Sequence, residues 1–482
     1  MTVRTEPAAA TTPARLREID DLAGPPGLPL VGNMLQIDKP HIHRQVERWS
    51  RDYGPYFRFR LGTRRIFVVT DHAAIGTIFR DRPDGFRRTP RFRQIAQEIG
   101  LPAGVFAAEG EPWRRQRKMV MAGFDPRHLR AYFPSLVKVC ERLERRWRGA
   151  ATSSTAIDLQ RDLMRFTVDA ISGLAFGVDV NTLESDDEVI QRHLDKIFPA
   201  LFRRMLAPLP TWRWWKSPAD RELDRSVVAV GAAIDGFVAT ARRRLADDRE
   251  RRAAPHNLLE AMIVAADDPG SGITDSEVAG NVTTMLLAGE DTTANTLAWA
   301  IWLLARHPQA LARARAEIDA IGPAADWTPE RLAELRYVEA CANETMRLKP
   351  VAPFIMFQAV RETTVADVRV PSGTLLWLSL RHDSVREEYF ADADAFKPER
   401  WLHAQSGPGA TSVDRIAMPF GAGPRVCPGR QLAMLEMKMA LATLLGRFEI
   451  DRVATVDAGE PDELMSFTMT PSPLTMRLRV RA

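Results

Sequence analysis

Apolar residues in the middle of the chain recur at spacings of three and four positions. From about Pro112 to Ala320 they alternate with long faces of Arg, Glu and Asp, for example in Leu136 to Trp147 and Val227 to Leu245. An apolar stripe with this period lies on one face of an α-helix. The pattern therefore predicts a mostly helical central region.

One helical segment, from about Ser276 to Ala305, has apolar residues on all sides. A helix that is apolar all round is buried in the core of a large protein. Glu290 and Asp291 interrupt this segment, and a buried carboxylate needs a partner or a function. A polar patch on an exposed helix is the alternative interpretation.

The remaining elements are short. Aromatic and β-branched residues predict a strand pair at Tyr56 to Arg60 and Arg65 to Thr70, and residues 364–373 predict further hairpins before a last helix from about Pro428 to Gly446. The expected fold class is mainly α with small β-sheets. Residues 1–24, rich in Ala, Thr and Pro, are expected to be disordered, and residues 25–482 to form a single domain.

Composition limits the function classes. The 66 basic and 62 acidic residues leave a net charge of only +4, which does not favour nucleic-acid binding. Three widely separated cysteines, Cys140, Cys341 and Cys427, argue against a disulfide framework or a structural zinc site and fit a reducing compartment. The amino terminus has no signal-peptide pattern and no bilayer-spanning run, so a cytoplasmic location without a transmembrane anchor is expected. Abundant Arg and Ala suit a GC-rich bacterium.

The candidate chemistry begins at Cys427. Glycines and prolines in residues 420–429 hold an irregular loop directly before the last predicted helix. A cysteine at a helix amino terminus has its thiolate stabilised by free backbone N–H groups, and the thiolate is the form that ligates iron. A buried free cysteine beside a tight turn is the more common fate of a lone cysteine.

This loop resembles the haem-binding loop of the cytochrome P450 family, Phe-x-x-Gly-x-Arg-x-Cys-x-Gly. The resemblance implies the fold of that family and a haem b whose iron is ligated by Cys427. It further implies that Arg425 meets a haem propionate and that the Phe packs near the sulfur, where glycines let N–H groups approach. The loop residues concerned are Phe420, Gly421, Gly423, Arg425, Cys427 and Gly429.

A second resemblance involves Glu344 and Arg347, whose i, i+3 spacing places them on one helix face. Surface pairs with this spacing are common. Together with Arg400 they resemble the buried Glu-Arg-Arg network of the family, whose role is structural. Such a network needs bidentate guanidinium geometry, so Lys is not expected to substitute.

The third resemblance lies within the long helix. Residues 288–293 match the family's distal motif, (Ala/Gly)-Gly-x-(Asp/Glu)-Thr-(Thr/Ser). The resemblance implies that Gly289 makes room for dioxygen, that Thr292 offers a hydrogen bond beside it, and that Asp291 relays protons through water. Thr292 and Asp291 are therefore the candidate catalytic residues.

A fourth resemblance, to the family's Trp-x-x-x-Arg, is carried by Trp113 and Arg117. Their i, i+4 spacing points both side chains the same way, towards one haem propionate. Arg114, Arg115 and Lys118 face elsewhere, and with Arg430 they form a basic set for which a solvated helix face is the alternative interpretation.

The substrate pocket is predicted by position relative to these motifs. Two segments, 104–106 and 351–354, are expected beside the haem, and residues 198–215 resemble the mobile roof of the family. Ordinary core packing, or contact of the roof with a membrane or partner, is the alternative. The candidate pocket residues are Val105, Phe106, Ala288, Ala352 and Phe354.

The resemblance implies a monooxygenase that inserts one oxygen atom from O2 into an apolar molecule such as a terpenoid, steroid or fatty acid, in bacterial secondary metabolism. Electrons are expected from NAD(P)H through a separate reductase with a ferredoxin or flavodoxin, and the protein is expected to be a monomer. A peroxide-driven peroxygenase or isomerase and a haem-binding protein without turnover are the alternatives. The pair of Asp291 and Thr292 argues against both, because neither needs a proton relay.

Overall fold

Helices dominate the computed structural model, which describes residues 16–185, 189–402 and 413–481, and they confirm the predicted mainly α class. The helices are α1 (Ile42–Tyr53), α2 (His72–Arg80), α3 (Pro90–Ile99), α4 (Gly110–Gly123), α5 (Pro126–Thr152), α6 (Leu159–Phe176), α7 (Val189–Leu194), α8 (Ile197–Met205), α9 (Pro218–Asp247), α10 (Arg249–Ala253), α11 (Leu258–Ala266), α12 (Asp275–Arg306), α13 (Pro308–Ile321), α14 (Pro329–Ala333), α15 (Arg336–Leu348), α16 (Val413–Ala417) and α17 (Arg430–Arg447).

The strands are short and form small sheets. They are β1 (Arg17–Glu18), β2 (Tyr56–Leu61), β3 (Arg64–Val69), β4 (Phe86–Arg88), β5 (Ile157–Asp158), β6 (Phe354–Ala359), β7 (Thr363–Val365), β8 (Val368–Val370), β9 (Leu375–Ser379), β10 (Phe448–Ala454), β11 (Glu463–Met465), β12 (Met469–Pro471) and β13 (Thr475–Val480). The largest sheet has the order β2-β3-β9-β6-β4, in which β3 and β9 are parallel. The predicted strand pair forms β2 and β3.

The long helix α12 runs through the core. It begins at a capping box formed by Thr274 and Glu277 and ends at Arg306, two residues before Pro308, so both ends lie within one residue of the predicted bounds. It packs along its length against α6 and is also contacted by α15 and α17. Trp299 and Ile301 have no measurable exposure. The all-round apolar pattern therefore reports a buried helix, as predicted.

The loop between α3 and α4 crosses α12 at two facing glycines. A Cβ on Gly104 would lie 2.3 Å from the carbonyl oxygen of Gly280, and a Cβ on Gly280 would lie 2.9 Å from the carbonyl carbon of Ala103. Side chains at either position would push the two backbones apart. The close crossing brings this loop against the amino-terminal third of α12.

Near the carboxyl terminus, β11 and β12 form a hairpin with its base anchored to distant segments. The backbone N–H of Met465 donates to Pro40 and that of Met469 donates to Val351, both at 2.8 Å. The carboxylate of Glu463 accepts hydrogen bonds from Arg381 and Arg44, each at 2.8 Å. Although burial acts to raise it, the pKa of Glu463 is held well below its usual range by the hydrogen bond from His43 and the charges of Arg381 and Lys349.

Ordered structure begins earlier than the sequence pattern predicts. Residues 1–15 lie outside the described residues, but β1 pairs in parallel with Val368 and Arg369. Ile19 and Leu22 are buried against the sheet. The low overall apolarity of residues 1–24 obscures these two side chains, which dock residues 17–22 onto the fold.

Candidate functional site

The conformation of the loop that carries Cys427 is fixed by its own backbone. The N–H of Cys427 donates to the carbonyl of Phe420 at 3.0 Å, and α17 begins three residues later, with Gly429 as its N-cap. The helix therefore starts two residues after the predicted Pro428. Gly421 and Gly423 have φ angles of 73° and 70°, which favour glycine. At Gly423 a Cβ would lie 2.5 Å from the carbonyl oxygen of Phe79.

Cys427 differs from the other two cysteines in its exposure. Its side chain is accessible, whereas Cys140 and Cys341 are buried. The protein surrounds the loop closely enough that desolvation raises the pKa of the Cys427 thiol, while the backbone N–H of Gly429 and the charge of Arg117 act to lower it. Burial raises the pKa of Cys140 to about 12. Of the three cysteines, Cys427 is thus the one whose sulfur a ligand-binding iron can reach.

The predicted propionate partners lie around this loop. Arg117 of α4 donates to the carbonyl of Val426 at 2.8 Å, directly beside Cys427. The guanidinium of Arg425 lies 5.0 Å from the ring centre of Trp113, which is buried. The structure therefore brings Trp113, Arg117 and Arg425 together, as the sequence predicts.

Arg425 also bonds to the crossing loop. It pairs with the carboxylate of Glu109 and donates to the carbonyls of Val105 at 2.9 Å and Ala108 at 2.7 Å. These bonds link the Cys427 loop to residues 105–109. Glu109, which the sequence motifs do not mark, is therefore part of the site.

Two further arginines crowd the same carboxylate. The backbone N–H of Arg88 donates to Glu109 at 2.8 Å, and Arg82 lies 3.9 Å from Glu109. Burial lowers the pKa of Arg82 to about 9, and the charge of Arg425 acts in the same direction. The Nε and Nη2 atoms of Arg82 are buried and have no hydrogen-bond partner among the described residues. The cluster therefore has more positive charge and more donors than Glu109 satisfies.

The Glu-Arg-Arg network forms as predicted. Glu344 and Arg347 have no exposed surface and make two hydrogen bonds of 2.8 Å, while Arg400 donates to Glu344 at 3.2 Å. Arg347 also donates to the carbonyls of Ala393 and Ala395. This one guanidinium therefore joins α15 to the segment that precedes the Cys427 loop.

The candidate catalytic pair lies on α12. The hydroxyl of Thr292 donates to the carbonyl of Ala288, one turn earlier, at 2.6 Å. The carboxylate of Asp291 accepts from the amide of Asn295 at 2.9 Å and from the hydroxyl of Thr468. Burial raises the pKa of Asp291 to about 6, against these two hydrogen bonds. A carboxyl with this pKa exchanges protons readily near neutral pH.

Within the described part of the chain, Glu290, the residue before Asp291 on α12, lacks the hydrogen-bond partners that Asp291 has at both of its oxygens. Its side chain is buried, its Oε1 has no hydrogen-bond partner among the described residues, and burial raises its pKa well above the ordinary value. The negative charges of Asp195 and Asp291 act in the same direction. A neutral carboxyl at this position satisfies the requirement that a buried acid avoid an unpaired charge.

Gly289 does not open onto the cavity. A Cβ on this residue would lie 3.4 Å from Ile171 of α6. Its geometry therefore indicates a packing role between two helices and not the expected role of making room for dioxygen. Its small size lets α12 and α6 approach closely, whereas Ala288 lines the cavity.

Next to Thr292 lies a cavity of about 240 Å³, with a largely apolar lining. Of the predicted pocket residues, Phe106, Ala288, Ala352 and Phe354 line it. Val105 does not, because its backbone N–H bonds to Asn281 at 2.8 Å and its carbonyl bonds to Arg425. Polar backbone contacts thus turn Val105 away from the cavity that its neighbour Phe106 enters.

Sequence reasoning missed the hairpin tip, residues 466–468 between β11 and β12, which contributes Phe467 and Thr468 to the cavity wall. The sequence predicts that residues 198–215 form a roof over the cavity. Phe198 and Phe202 of α8 do line the same cavity, whereas Trp214 and Trp215 are exposed. Residues 466–468 contain no Gly, Pro, Asn or Asp that would mark a turn, and nothing in their sequence indicates these contacts. Those contacts are set by the tertiary fold.

Comparison with known proteins decides the family. The sequence profile described as "Cytochrome P450" matches residues 22–478. The chain belongs to the cytochrome P450 family. Membership supports a haem-thiolate monooxygenase in general, and the same profile covers both the Cys427 loop and α12 of this P450.

Relatives of this P450 come from several kingdoms. A cyclooctat-9-en-7-ol 5-monooxygenase of Streptomyces melanosporofaciens is 29% identical over 430 residues, covering 88% of each chain. A chloroplastic carotene epsilon-monooxygenase of Arabidopsis thaliana is 25% identical and covers 87% of this chain and 78% of that protein. The crystal structure of a cytochrome P450 (CYP102L1) is 26% identical with a TM-score of 0.78, covering 95% and 99% of the two chains.

A second solved structure, the heme domain of cytochrome P450DA, superposes with a TM-score of 0.81 at 22% identity and covers 97% of this chain and 99% of that one. This likeness shows the fold. Among the described residues, no helix combines the length and apolarity needed to cross a bilayer.

The residues around Cys427 fit a haem. Arg82, Arg88 and Arg425 surround the single carboxylate of Glu109 among the described residues, and two buried nitrogen atoms of Arg82 lack acceptors. Haem b carries two propionates, which are acceptors of the right charge for these donors. The accessible thiol of Cys427 supplies the axial ligand type of this family.

Proposed function

We propose that this P450 inserts one oxygen atom from O2 into an apolar small molecule, and that Cys427 is the residue that would bind the iron of haem b. The observation that carries the proposal is the pair of Asp291 and Thr292 beside an apolar cavity. Electrons come from NAD(P)H through a separate reductase with a ferredoxin or flavodoxin. We also propose that residues 25–482 act as one monomeric domain in the cytoplasm of a bacterium, in secondary metabolism.

The residues that hold the haem are those around the Cys427 loop. Cys427 would ligate the iron, and its sulfur is approached by the N–H of Gly429. The guanidinium groups of Arg82, Arg117 and Arg425 would pair with the propionates, to which the indole N–H of Trp113 would donate a hydrogen bond. When bound through a thiolate, the haem iron supplies dioxygen activation.

The lining of the cavity defines the substrate class. Its walls are mainly aromatic and aliphatic: Phe92, Phe106, Phe198, Leu201, Phe202, Met205, Leu287, Phe354, Ile355 and Phe467. Such walls bind a molecule through burial of hydrocarbon surface. The names of two relatives specify a carotene and a cyclooctatenol, both rich in hydrocarbon. A terpenoid or a molecule of similar apolarity is therefore the proposed substrate.

Proton delivery falls to Asp291 and Thr292. The carboxyl of Asp291, with a pKa raised to about 6, takes up and releases a proton near neutral pH. The hydroxyl of Thr292 donates to the carbonyl of Ala288 in this structure. Once it rotates away from that carbonyl, it donates a hydrogen bond into the cavity that Thr292 lines. This pair favours oxygenation over peroxide-driven chemistry, which needs no external proton relay.

Thr292→Ala should uncouple the reaction. Because positioned proton donors contribute about 10²-fold or more, we expect product formed per NAD(P)H oxidised to fall by about tenfold or more. NAD(P)H consumption continues, and hydrogen peroxide accumulates. Thr292→Ser, which keeps the hydroxyl, is the matched control and should retain most of the yield. Unchanged yield and peroxide release in Thr292→Ala would contradict the role given to Thr292.

A direct comparison of oxidants tests the proposed reaction. Turnover of a terpenoid library is measured with NAD(P)H, a ferredoxin and its reductase, and then with hydrogen peroxide alone. The proposal predicts that the reductase chain supports more product and that Asp291→Asn lowers only this route. Product that depends on peroxide alone would support a peroxygenase instead.

The redox partner is proposed to dock near the Cys427 loop. Lys118 and Arg430 are exposed there, whereas Arg114 pairs with Asp84 at 2.6 Å and with Glu111 at 3.3 Å. Arg115 lies 3.9 Å from Glu277. The predicted basic set is therefore partly neutralised within the chain, and Lys118 and Arg430 become its main exposed cations.

Reduction by an acidic ferredoxin should slow as salt rises. Exposed charges steer association and are screened over about 10 Å at 0.1 M salt, so the association rate should fall. Stopped-flow reduction is measured across a salt series for Lys118→Glu with Arg430→Glu, and for Arg114→Glu with Arg115→Glu. Both pairs should slow reduction without changing substrate affinity, the first more strongly.

Arg243→Glu is the control for this series. Arg243 lies on α9, which packs against α8 at the roof of the cavity and not at the Cys427 loop. This variant should be reduced by the ferredoxin at the wild-type rate. A rate that is indifferent to both salt and the charge reversals would mean that these cations are only a solvated face.

A further inference from the structure

The hairpin tip, residues 466–468, connects the cavity to the candidate acid. It is closed by a hydrogen bond of 2.9 Å from the N–H of Ser466 to the carbonyl of Thr468. The next two side chains, Phe467 and Thr468, both line the cavity. One short segment therefore contacts the space for a ligand and the carboxylate of Asp291.

The base of this hairpin is fixed. Arg381 bonds to Glu463 at 2.8 Å and holds Glu47 through two further bonds of 2.8 Å. Lys349 and His43 also contact Glu463. Because buried charges of this kind are costly to separate, the base stays in place when the tip moves.

Phe467 is held in the cavity by other rings. It stacks on Phe198 with ring centres 4.5 Å apart, and its ring lies 6.2 Å from Phe106 and 6.3 Å from Phe92. Its φ angle is +100°, a conformation that is strained for a side chain of this size. The contacts with the neighbouring rings offset this strain.

In this conformation Thr468 forms a hydrogen bond with Asp291. Its hydroxyl donates to Oδ2 of Asp291, while Asn295 donates to Oδ1 at 2.9 Å. Thr468 is itself buried. Both oxygens of the carboxylate are therefore engaged by protein donors while Phe467 fills the cavity.

We propose that the hairpin tip makes the availability of Asp291 depend on the ligand: a ligand large enough to displace Phe467 withdraws the Thr468 hydroxyl from Asp291. Thr468 is thus a positioning residue. The consequence, that the freed carboxyl enters proton transfer only when the cavity is occupied, rests on the proposed function of Asp291. Such a device limits consumption of electrons without substrate.

Binding of two azoles to the haem-loaded protein tests the device without turnover. Clotrimazole is bulky and needs the space of Phe467, whereas imidazole does not. Thr468→Val removes the hydroxyl with little change of shape, so the tip moves at lower cost. Since hydrogen bonds to charged groups are the stronger class, we expect clotrimazole to bind about tenfold more tightly in a Soret titration, with imidazole affinity unchanged.

Thr468→Ser is the rescue variant and should restore wild-type affinity for clotrimazole. In an Asp291→Ala background, where the acceptor is gone, Thr468→Val should have no further effect on clotrimazole affinity. If Thr468→Val does not incorporate haem, Thr468→Ala replaces it with the same expected results.

Equal clotrimazole affinities in wild type and Thr468→Val would overturn the proposal, as would a Thr468→Val effect that persists in Asp291→Ala. The proton relay is tested separately by product yield in Asp291→Asn. An unchanged yield there would remove the consequence for catalysis, while the azole titrations would still decide whether the tip is coupled to Asp291.

Discussion

Arg347→Lys should strongly destabilise the haem-loaded protein. Lys cannot reproduce the two bonds to Glu344 together with the bonds to the carbonyls of Ala393 and Ala395. Glu344 would then be a buried carboxylate with incomplete pairing. Breaking one member of a buried network costs about 3–5 kcal/mol, so we expect a loss of that order in the free energy of unfolding by urea.

The control is the same substitution at an exposed pair. Arg313 bonds to Glu399 at 3.0 Å, and its side chain is about half exposed. Because exposed ion pairs contribute about 0–1 kcal/mol, Arg313→Lys should leave the unfolding free energy nearly unchanged. Equal stability of Arg347→Lys and Arg313→Lys would show that the Glu344 network does not hold this fold together.

Cys427→Ser should abolish oxygenation. A serine hydroxyl is not an equivalent ligand, because the electron push that favours O–O cleavage comes from the thiolate. We expect product formation with the reductase chain to fall to background. The measurement is product per unit of haem, so that a lower haem content is not mistaken for a lower rate.

Cys140→Ser and Cys341→Ser are the matched controls. Both cysteines are buried in the protein core, so their sulfur atoms are not accessible to a haem iron, whereas that of Cys427 is. Each variant should keep oxygenating once its lower stability is allowed for. Loss of turnover in one of these variants, with turnover retained in Cys427→Ser, would assign the ligand to another cysteine.

Local patterns predict most of the fold and the centre of the site. The bounds of α12 follow from its apolar period and from caps in the nearby sequence, since Thr274, Glu277 and Pro308 all act within one turn of its ends. The arrangement of Cys427 with Arg117 and Arg425 follows from short motifs. In these cases the determining contacts lie within a few residues, or the family pattern already joins them.

The remaining features depend on contacts between distant segments. Thr468 and Asp291 are 177 positions apart, and Arg425 and Glu109 are 316 positions apart. No periodicity in either segment encodes such a pair. Val105 and Gly289 show the same limit, because backbone bonds to Asn281 and packing against Ile171 decide which way each faces.

Whether Cys427 presents a thiolate to haem iron is decided by the absorption spectrum of the reduced, carbon-monoxide-bound protein. We expect the red-shifted Soret band of thiolate ligation in the wild type and in Cys140→Ser and Cys341→Ser, and its loss in Cys427→Ser. A wild-type band without the red shift, or a red-shifted band that survives in Cys427→Ser, would contradict this assignment.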